Sequence, residues 1–127
     1  MKNLMMLMVA VLVSSFSFAQ TVKYDNGSVK SEYKQVGELV AVTHYYQSGT
    51  VKETGFFKDE IPEGKWETFA ENGTKTAELN YKDGKRNGEF RVWDEFTQAY
   101  MEISYANGEM IKANKWIKAE DFASINK

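Results

Sequence analysis

The sequence predicts an all-β protein: a single twisted antiparallel meander of about four β-hairpin repeats, preceded by a signal peptide. Three observations carry this prediction. Aromatic residues recur about every 24 residues, glycines follow turn-forming residues between them, and polar and apolar side chains alternate in the intervening segments. Alternation with period two is typical of strands, whose successive side chains point to opposite faces of a sheet.

The N-terminal segment has the order of a secretory signal peptide. Lys2 precedes an almost wholly apolar run from Leu4 to Val13, and the small residues Ser17 and Ala19 follow. Small side chains at these two positions suit cleavage after Ala19, and the apolar run is too short to span a bilayer comfortably. We therefore expect residues 1–19 to be removed and the mature chain, which has no transmembrane segment of its own, to be periplasmic or secreted.

The repeat is visible in several series that share one interval. The first aromatic series is Tyr33, Phe57, Tyr81 and Tyr105, and the second is Tyr45, Phe69 and Trp93. Trp66 and Phe90 are separated by the same interval. Such periodicity predicts a repeat protein in which equivalent rings of successive hairpins pack against one another.

Seven of the nine glycines follow residues that favour turns. The pairs are Asn26-Gly27, Ser48-Gly49, Glu63-Gly64, Asn72-Gly73, Asp83-Gly84, Asn87-Gly88 and Asn107-Gly108. Asn-Gly and Asp-Gly predict type I′ turns, in which both central residues have positive φ. Gly55 lies within a predicted strand and needs no positive φ, so we expect Gly73→Val to cost several times more stability than Gly55→Ala.

Nine strands are expected from the turns and the alternation. They span about residues 22–25, 28–35, 38–46, 50–58, 65–70, 74–82, 89–94, 98–106 and 109–116. The repeat domain is thus predicted over residues 20–116, and residues 117–127 are expected to form a short cap or a frayed tail.

The segment from Tyr45 to Lys58, Tyr-Tyr-Gln-Ser-Gly-Thr-Val-Lys-Glu-Thr-Gly-Phe-Phe-Lys, resembles the MORN-variant repeat. The units of that family read roughly as an aromatic residue, a turn with glycine, Lys-x-Glu, a small residue, an aromatic residue, lysine, a second turn with glycine, and Trp or Phe. Phe69 to Phe90 repeats the pattern, and the resemblance covers about residues 22–116. Glu60 departs from it by replacing a turn glycine, and Ile61-Pro62 is expected to reshape that hairpin.

The resemblance implies a β-hairpin meander that presents a surface to partners. Similar repeat proteins are often described as antitoxin components of toxin–antitoxin systems. Some short exported sequences similar to this one are described as nicotinate mononucleotide adenylyltransferases. The resemblance therefore implies a fold without implying one agreed activity.

Composition excludes several kinds of site. The chain has no cysteine, which excludes disulfides, thiolate catalysis, cysteine-based zinc sites and a lipidated N-terminal cysteine. We therefore do not expect a lipoprotein. The formal net charge of −2 argues against broad electrostatic binding to nucleic acid or anionic lipid.

No catalytic motif is recognisable. His44 is the only histidine, no serine or aspartate neighbourhood marks a triad, and no phosphate-binding motif or parallel βαβ pattern supports nucleotidyl transfer. No carboxylate lies in an apolar part of the sequence, as a glycosidase acid would require. No EF-hand spacing occurs, so calcium binding is not supported. The sequence predicts a non-enzymatic protein without cofactor or metal.

We expect binding through the sheet face that a single layer leaves uncovered. The candidate rings are Tyr46, Phe56, Phe96 and Tyr100, and a basic cluster comprises Lys82, Lys85, Arg86 and Arg91. The expected function is a binding or scaffold module for a protein or an extracellular polymer; the alternative is an antitoxin-like inhibitor of one partner protein. Alternatively, the rings are covered by a second copy of the chain, in a homodimer formed through the sheet face or edge, or by the C-terminal tail.

The signal-peptide hypothesis predicts that the exported protein begins at Gln20. Intact mass spectrometry of protein recovered from the cell envelope or medium should give the mass of residues 20–127. A mass that retains Met1 would refute the predicted cleavage.

Overall fold

The computed structural model describes residues 18–96 and 99–116, and these residues form one open antiparallel sheet. Its strands are β1 (Ala19–Lys23), β2 (Val29–Val36), β3 (Leu39–Tyr45), β4 (Val51–Lys58), β5 (Ile61–Phe69), β6 (Lys75–Lys82), β7 (Lys85–Arg86), β8 (Gly88–Trp93), β9 (Tyr100–Ala106) and β10 (Glu109–Trp116). They lie side by side in chain order, except that the two-residue β7 pairs with β6 beside the start of β8. The predicted all-β meander of hairpin repeats is confirmed.

All nine predicted strands occur, and β7 is an addition that the periodicity does not indicate. No helix capable of spanning a bilayer occurs among the described residues. Residues 1–17, which hold most of the predicted signal peptide, lie outside the described ranges, as does the predicted C-terminal tail at 117–127.

One set of hairpins turns through two residues with positive φ, as type I′ turns require. Asp83-Gly84 has φ of 51° and 78°, and Asn107-Gly108 has φ of 50° and 86°. Asp59-Glu60 adopts the same conformation, with φ of 50° and 66°, although glutamate is strained there. Beside the turn the pairing is regular, because β5 begins at Ile61 and Pro62 pairs with Phe57. The expected reshaping at Ile61-Pro62 is therefore absent from the loop, although the register of the same hairpin shifts farther along, between Thr54 and Phe56.

A second set of turns differs from the type I′ prediction. In Asn26-Gly27, Ser48-Gly49 and Asn72-Gly73, only the glycine has positive φ, at 87°, 93° and 88°. The strand register shifts beside each turn. These features are typical of a longer hairpin loop, a type I turn followed by a left-handed glycine and a bulge. Both turn types recur at the repeat interval in the later repeats, which explains why the sequence pattern does not separate them.

Two predicted turn glycines are not in turns. Gly64 lies inside β5 and Gly88 begins β8, with φ of 72° and 86°. Each is directly opposite a tyrosine on the neighbouring strand, Tyr81 for Gly64 and Tyr105 for Gly88. They allow irregular backbone within the sheet rather than a reversal of the chain.

The register divides the side chains into two faces, because directly opposed residues in an antiparallel sheet lie on the same face. The ring face bears Tyr33, Val42, Gly55, Phe57, Trp66, Leu79, Tyr81, Phe90, Ile103 and Tyr105. The polar face bears Glu32, Thr43, Thr54, Glu67, Glu78, Arg91 and Glu102. Every described strand belongs to the one sheet, so within the described residues neither face is covered by a second layer.

The core is a row of residues on the ring face. Val42, Trp66 and Phe90 are separated by the repeat interval, and only 1%, 5% and 5% of their surfaces are exposed. The buried rings stand between the half-buried ones, with centroid separations of 5.0 Å for Phe57–Trp66, 6.4 Å for Trp66–Tyr81, 5.9 Å for Tyr81–Phe90 and 4.6 Å for Phe90–Tyr105. Equivalent rings therefore share a face as predicted, but each contacts the ring of the intervening strand rather than its own equivalent.

Gly55 holds a position that the sequence reasoning undervalues. It is buried, and a Cβ added to it would overlap the Trp66 indole. The indole rests on this glycine and donates a hydrogen bond from Nε1 to the Phe56 carbonyl at 3.1 Å. At Gly73, in contrast, an added Cβ meets nothing within 4 Å, although φ is positive. The expected ranking of these two glycines is therefore reversed for a matched change to alanine.

We predict that Gly55→Ala destabilises the protein by about 1–3 kcal/mol, since the methyl group must displace a packed and hydrogen-bonded indole. Gly73→Ala should cost only about 1 kcal/mol, the strain of a left-handed alanine. Chemical denaturation of both variants measures the difference.

The double variant Gly55→Ala/Trp66→Leu is the control for direct contact. Its loss should be smaller than the sum of the two single losses, because a leucine leaves space for the new methyl group. Additive losses, or a Gly55→Ala variant as stable as wild type, would contradict the assigned packing.

Candidate functional site

Four aromatic rings on the ring face form a ladder across the sheet. The ring ladder consists of Tyr33, Phe57, Tyr81 and Tyr105, all of which are half-buried. They lie on β2, β4, β6 and β9, which are alternate strands in the sheet order. With strands about 4.8 Å apart, successive strands of the ladder are about 9.6 Å apart and the ladder spans about 29 Å across the sheet. The register aligns Tyr33 with Val42 and Gly55, so Tyr33 is offset from Phe57 by two residues along the strand direction.

A pocket of about 340 Å³, lined by both polar and apolar groups, lies at the β1–β4 end of the sheet, beside Tyr33. The Ser31 Oγ and the His44 Nδ1 are 2.7 Å apart, and His44 also contacts Tyr33 edge to face at 6.2 Å. Glu53 is opposite His44 on β4. Tyr24 closes the same end by donating a hydrogen bond to the Tyr45 carbonyl at 2.6 Å.

This serine–histidine contact is one that the sequence reasoning misses. Ser31 is only 4% exposed, so its hydroxyl orients the imidazole and is poorly placed to attack a substrate. His44 lies in β3, an interior strand of the sheet. The sequence does contain a feature that predicts this contact. Ser31 and His44 are equally distant from the Gly37-Glu38 turn, so hairpin pairing places them opposite each other.

A smaller apolar depression of about 260 Å³ lies on the ring face between two rings of the ladder. Tyr33, Val40, Phe57 and Glu60 line it. Val40 is opposite Phe57 in the β3–β4 register and forms the floor between the rings. The ring ladder is therefore an uneven surface with a recess between its first two rings.

The predicted aromatic site residues do not form one surface. Tyr46 is a structural residue that donates a hydrogen bond to the Phe69 carbonyl at 2.7 Å. Phe56 and Tyr100 lie on the polar face, where Tyr100 is opposite Trp93 with ring centroids 6.1 Å apart. Phe96 is 87% exposed in the loop between β8 and β9. The ring ladder, in contrast, has four half-buried rings on one face.

The predicted basic cluster divides between the faces. Lys82 and Lys85 are opposite each other beside the Asp83-Gly84 turn, and both are exposed. Arg86 is opposite Tyr81 on the ring face. Arg91 lies on the polar face between two carboxylates, with its Nη1 3.9 Å from Glu78 and its Nε 3.4 Å from Glu102. The four charges therefore do not act as one patch.

The polar face carries an ion-pair network at its centre. Glu67 and Glu78 are directly opposite each other, an unfavourable pairing of like charges unless cations lie between them. Lys75 supplies this charge, with its Nζ 2.6 Å from Glu67 and 2.9 Å from Glu78. Hydrogen bonds to these carboxylates raise the pKa of Lys75, and its hydrogen bond to Glu78 lowers the pKa of that carboxyl group.

Tyr45 is a further polar-face group with a perturbed pKa. Burial is the largest cause of its raised pKa, and the adjacent Glu32 carboxylate, which accepts its hydroxyl hydrogen bond at 3.1 Å, adds to it. Among the described residues, no group of three or more histidine, aspartate or glutamate side chains is arranged to hold a metal ion. The polar face thus has the features of a self-neutralised, solvated surface.

Comparison with known proteins identifies the repeat. The family model described as MORN repeat variant matches residues 40–59 and 62–83. These segments cover β3–β4 and most of β5–β6, which include Phe57, Trp66 and Tyr81 of the ring face. No curated protein and no solved structure matches the chain.

The ion-pair network gives a pH-dependent prediction. We expect Lys75→Met to destabilise the protein at neutral pH by no more than about 1 kcal/mol, because the partners are partly exposed. Since the lysine lowers the folded-state pKa of Glu78, its contribution is present above the unfolded pKa of a glutamate. It is lost as the pH falls through the folded pKa.

Denaturation curves of the wild type and the variant at several pH values measure this effect. Lys58→Met is a matched control, because the Lys58 Nζ is 4.0 Å from Glu38 and both side chains are largely exposed. The difference in stability between Lys58→Met and the wild type should not become smaller at low pH. A loss for Lys75→Met that persists undiminished in acid would contradict the charge assignment.

Proposed function

Because residues 40–59 and 62–83 are MORN repeat variants within one open sheet, we propose that this chain is a non-enzymatic binding module whose ring ladder holds an extended polymer chain. The observation that carries the proposal is the placement of half-buried rings on every second strand. A linear polymer lying across the strands meets an equivalent ring at each repeat.

A polysaccharide is the polymer that this surface suits best. Sugar rings present C–H faces that stack on aromatic side chains, and the ladder spacing of about 9.6 Å is comparable with a disaccharide unit of an extended β-linked glycan. A peptide that binds by adding a strand would instead use the unpaired backbone groups of a sheet edge, which the face does not offer. The ring ladder therefore favours a glycan over a strand-forming peptide.

Export accords with this function. The predicted signal peptide would deliver the mature chain to the periplasm or the exterior, where structural polysaccharides are abundant. Cleavage after Ala19 would leave β1 residues Gln20–Lys23, which keep their pairing partners on β2. The first strand would thus survive processing with most of its register.

The proposal is tested by calorimetric titration of residues 20–127 with soluble β-1,4-linked oligosaccharides: cello-, chito- and oligoglucuronate series. At least one series should bind, with an affinity that rises with oligomer length until the oligomer spans the ladder of about 29 Å. Tyr81→Ala should weaken binding about tenfold or more, because one stacking platform is lost near the middle of the ladder.

Phe96→Ala is the matched aromatic control, since that ring is off the ladder and largely exposed. It should bind like the wild type. Absence of binding to all three series, combined with stoichiometric capture and inhibition of a single envelope protein, would instead support the antitoxin-like alternative. Binding that does not depend on Tyr81 would overturn the assignment to the ring ladder.

A further inference from the structure

We propose that the glycan bound on the ring face is acidic, and that the guanidinium of Arg86 binds its carboxylate groups. This inference rests on the proposed function and adds the chemical class of the ligand. It starts from the different environments of Arg86 and Arg91, two arginines five positions apart on opposite faces of the sheet.

Arg86 lies within the ring ladder. Its guanidinium carbon is 5.5 Å from the ring centroid of Tyr105 and 5.9 Å from that of Phe90. Its Nη1 donates a long hydrogen bond of 3.4 Å to the Tyr105 hydroxyl. Arg86 is exposed, so a planar cation with several free N–H donors is held against the rings at the surface.

Arg86 has no acidic partner among the described residues, whereas Arg91 contacts both Glu78 and Glu102. The sheet separates these charges by face. Glu78, Glu89 and Glu102 are on the polar face, and Asp83 lies in the turn before Arg86, where its backbone N–H donates a hydrogen bond to Glu63. On the ring face, Arg86 is opposite Tyr81 and lies against the rings of Phe90 and Tyr105. The charge of Arg86 is thus available for a ligand anion.

A guanidinium pairs best with a planar carboxylate, which it binds through two parallel hydrogen bonds. An acidic sugar offers this carboxylate beside a C–H face that stacks on a ring, so it meets both features of the surface at once. Nucleic acid is less well matched, because its phosphate backbone binds to several cations and the ring ladder presents one arginine. Charge complementarity therefore selects a uronic acid polymer.

The test compares two ligands of the same linkage and length, β-1,4-linked oligoglucuronate and cello-oligosaccharide, by calorimetric titration of residues 20–127. The wild type should bind the oligoglucuronate about tenfold more tightly, the gain of one charge-assisted hydrogen-bonded pair. Arg86→Gln should reduce this affinity to the level of the neutral ligand. Added NaCl should weaken oligoglucuronate binding and leave cello-oligosaccharide binding unchanged.

Arg91→Gln is the matched control, because it removes the same charge from the polar face; it should keep the tenfold preference. Arg86→Gln also loses contacts with two rings, so thermal unfolding of each variant accompanies the titration. If Arg86→Gln is poorly folded, Arg86→Lys should retain salt-dependent binding at reduced affinity, because the charge remains and the paired donors do not.

Equal affinity of the wild type for both ligands would overturn the acidic-glycan inference and leave the proposed function intact. An unchanged preference in folded Arg86→Gln would overturn the role of Arg86. Binding of poly-glutamate in place of both oligosaccharides would overturn the inference and the proposed function together, since the partner would then be an acidic polypeptide.

Discussion

Edge-to-face packing of aromatic rings across neighbouring strands is the interaction on which this structure depends. A sheet without a second layer cannot bury its apolar side chains between layers, so they must be buried by neighbours on the same face. Trp66 and Phe90 achieve this by standing between the half-buried rings of adjacent strands. Gly55 is part of the same solution, because the indole occupies the space where its side chain would be.

This mode of packing also separates the two faces by chemistry. The ring face buries Val42, Trp66 and Phe90 and leaves the four rings of the ring ladder half-buried. The polar face neutralises its own carboxylates through Lys75 and Arg91. Arg86 on the ring face therefore lies against aromatic rings, whereas Arg91 on the polar face lies between carboxylates. The proposed function and the assignment of an acidic ligand both follow from this asymmetry.

Most of the fold is predictable from the sequence, because one strict interval repeats both the rings and the turns. The predicted strands and the shared face of Tyr33, Phe57, Tyr81 and Tyr105 are confirmed. The turn types are less predictable, since Asn-Gly suits both a type I′ turn and a type I turn with a bulge. Gly55 is misjudged because a glycine in a strand reveals nothing about the indole that rests on it.

The candidate site is less predictable, because it depends on register as well as on residue type. Arg86 and Arg91 look alike as members of a basic cluster, and only the pairing of β6 with β7 and β8 places them on opposite faces. The contact between Ser31 and His44 likewise depends on the position of one turn. Phe56 is adjacent to Gly55 and Phe57 of the ring face, and a shift of one position suffices to exclude its side chain from that face.

The meander joins each hairpin only to its immediate neighbours, and this has an evolutionary consequence. Duplication of one repeat unit would add two strands without disturbing the contacts of the others. It would also lengthen the ladder by one ring, or about 9.6 Å. The number of repeats in such a chain therefore sets the length of the ring ladder. Selection can change this length by gene duplication while the spacing between neighbouring repeats stays constant.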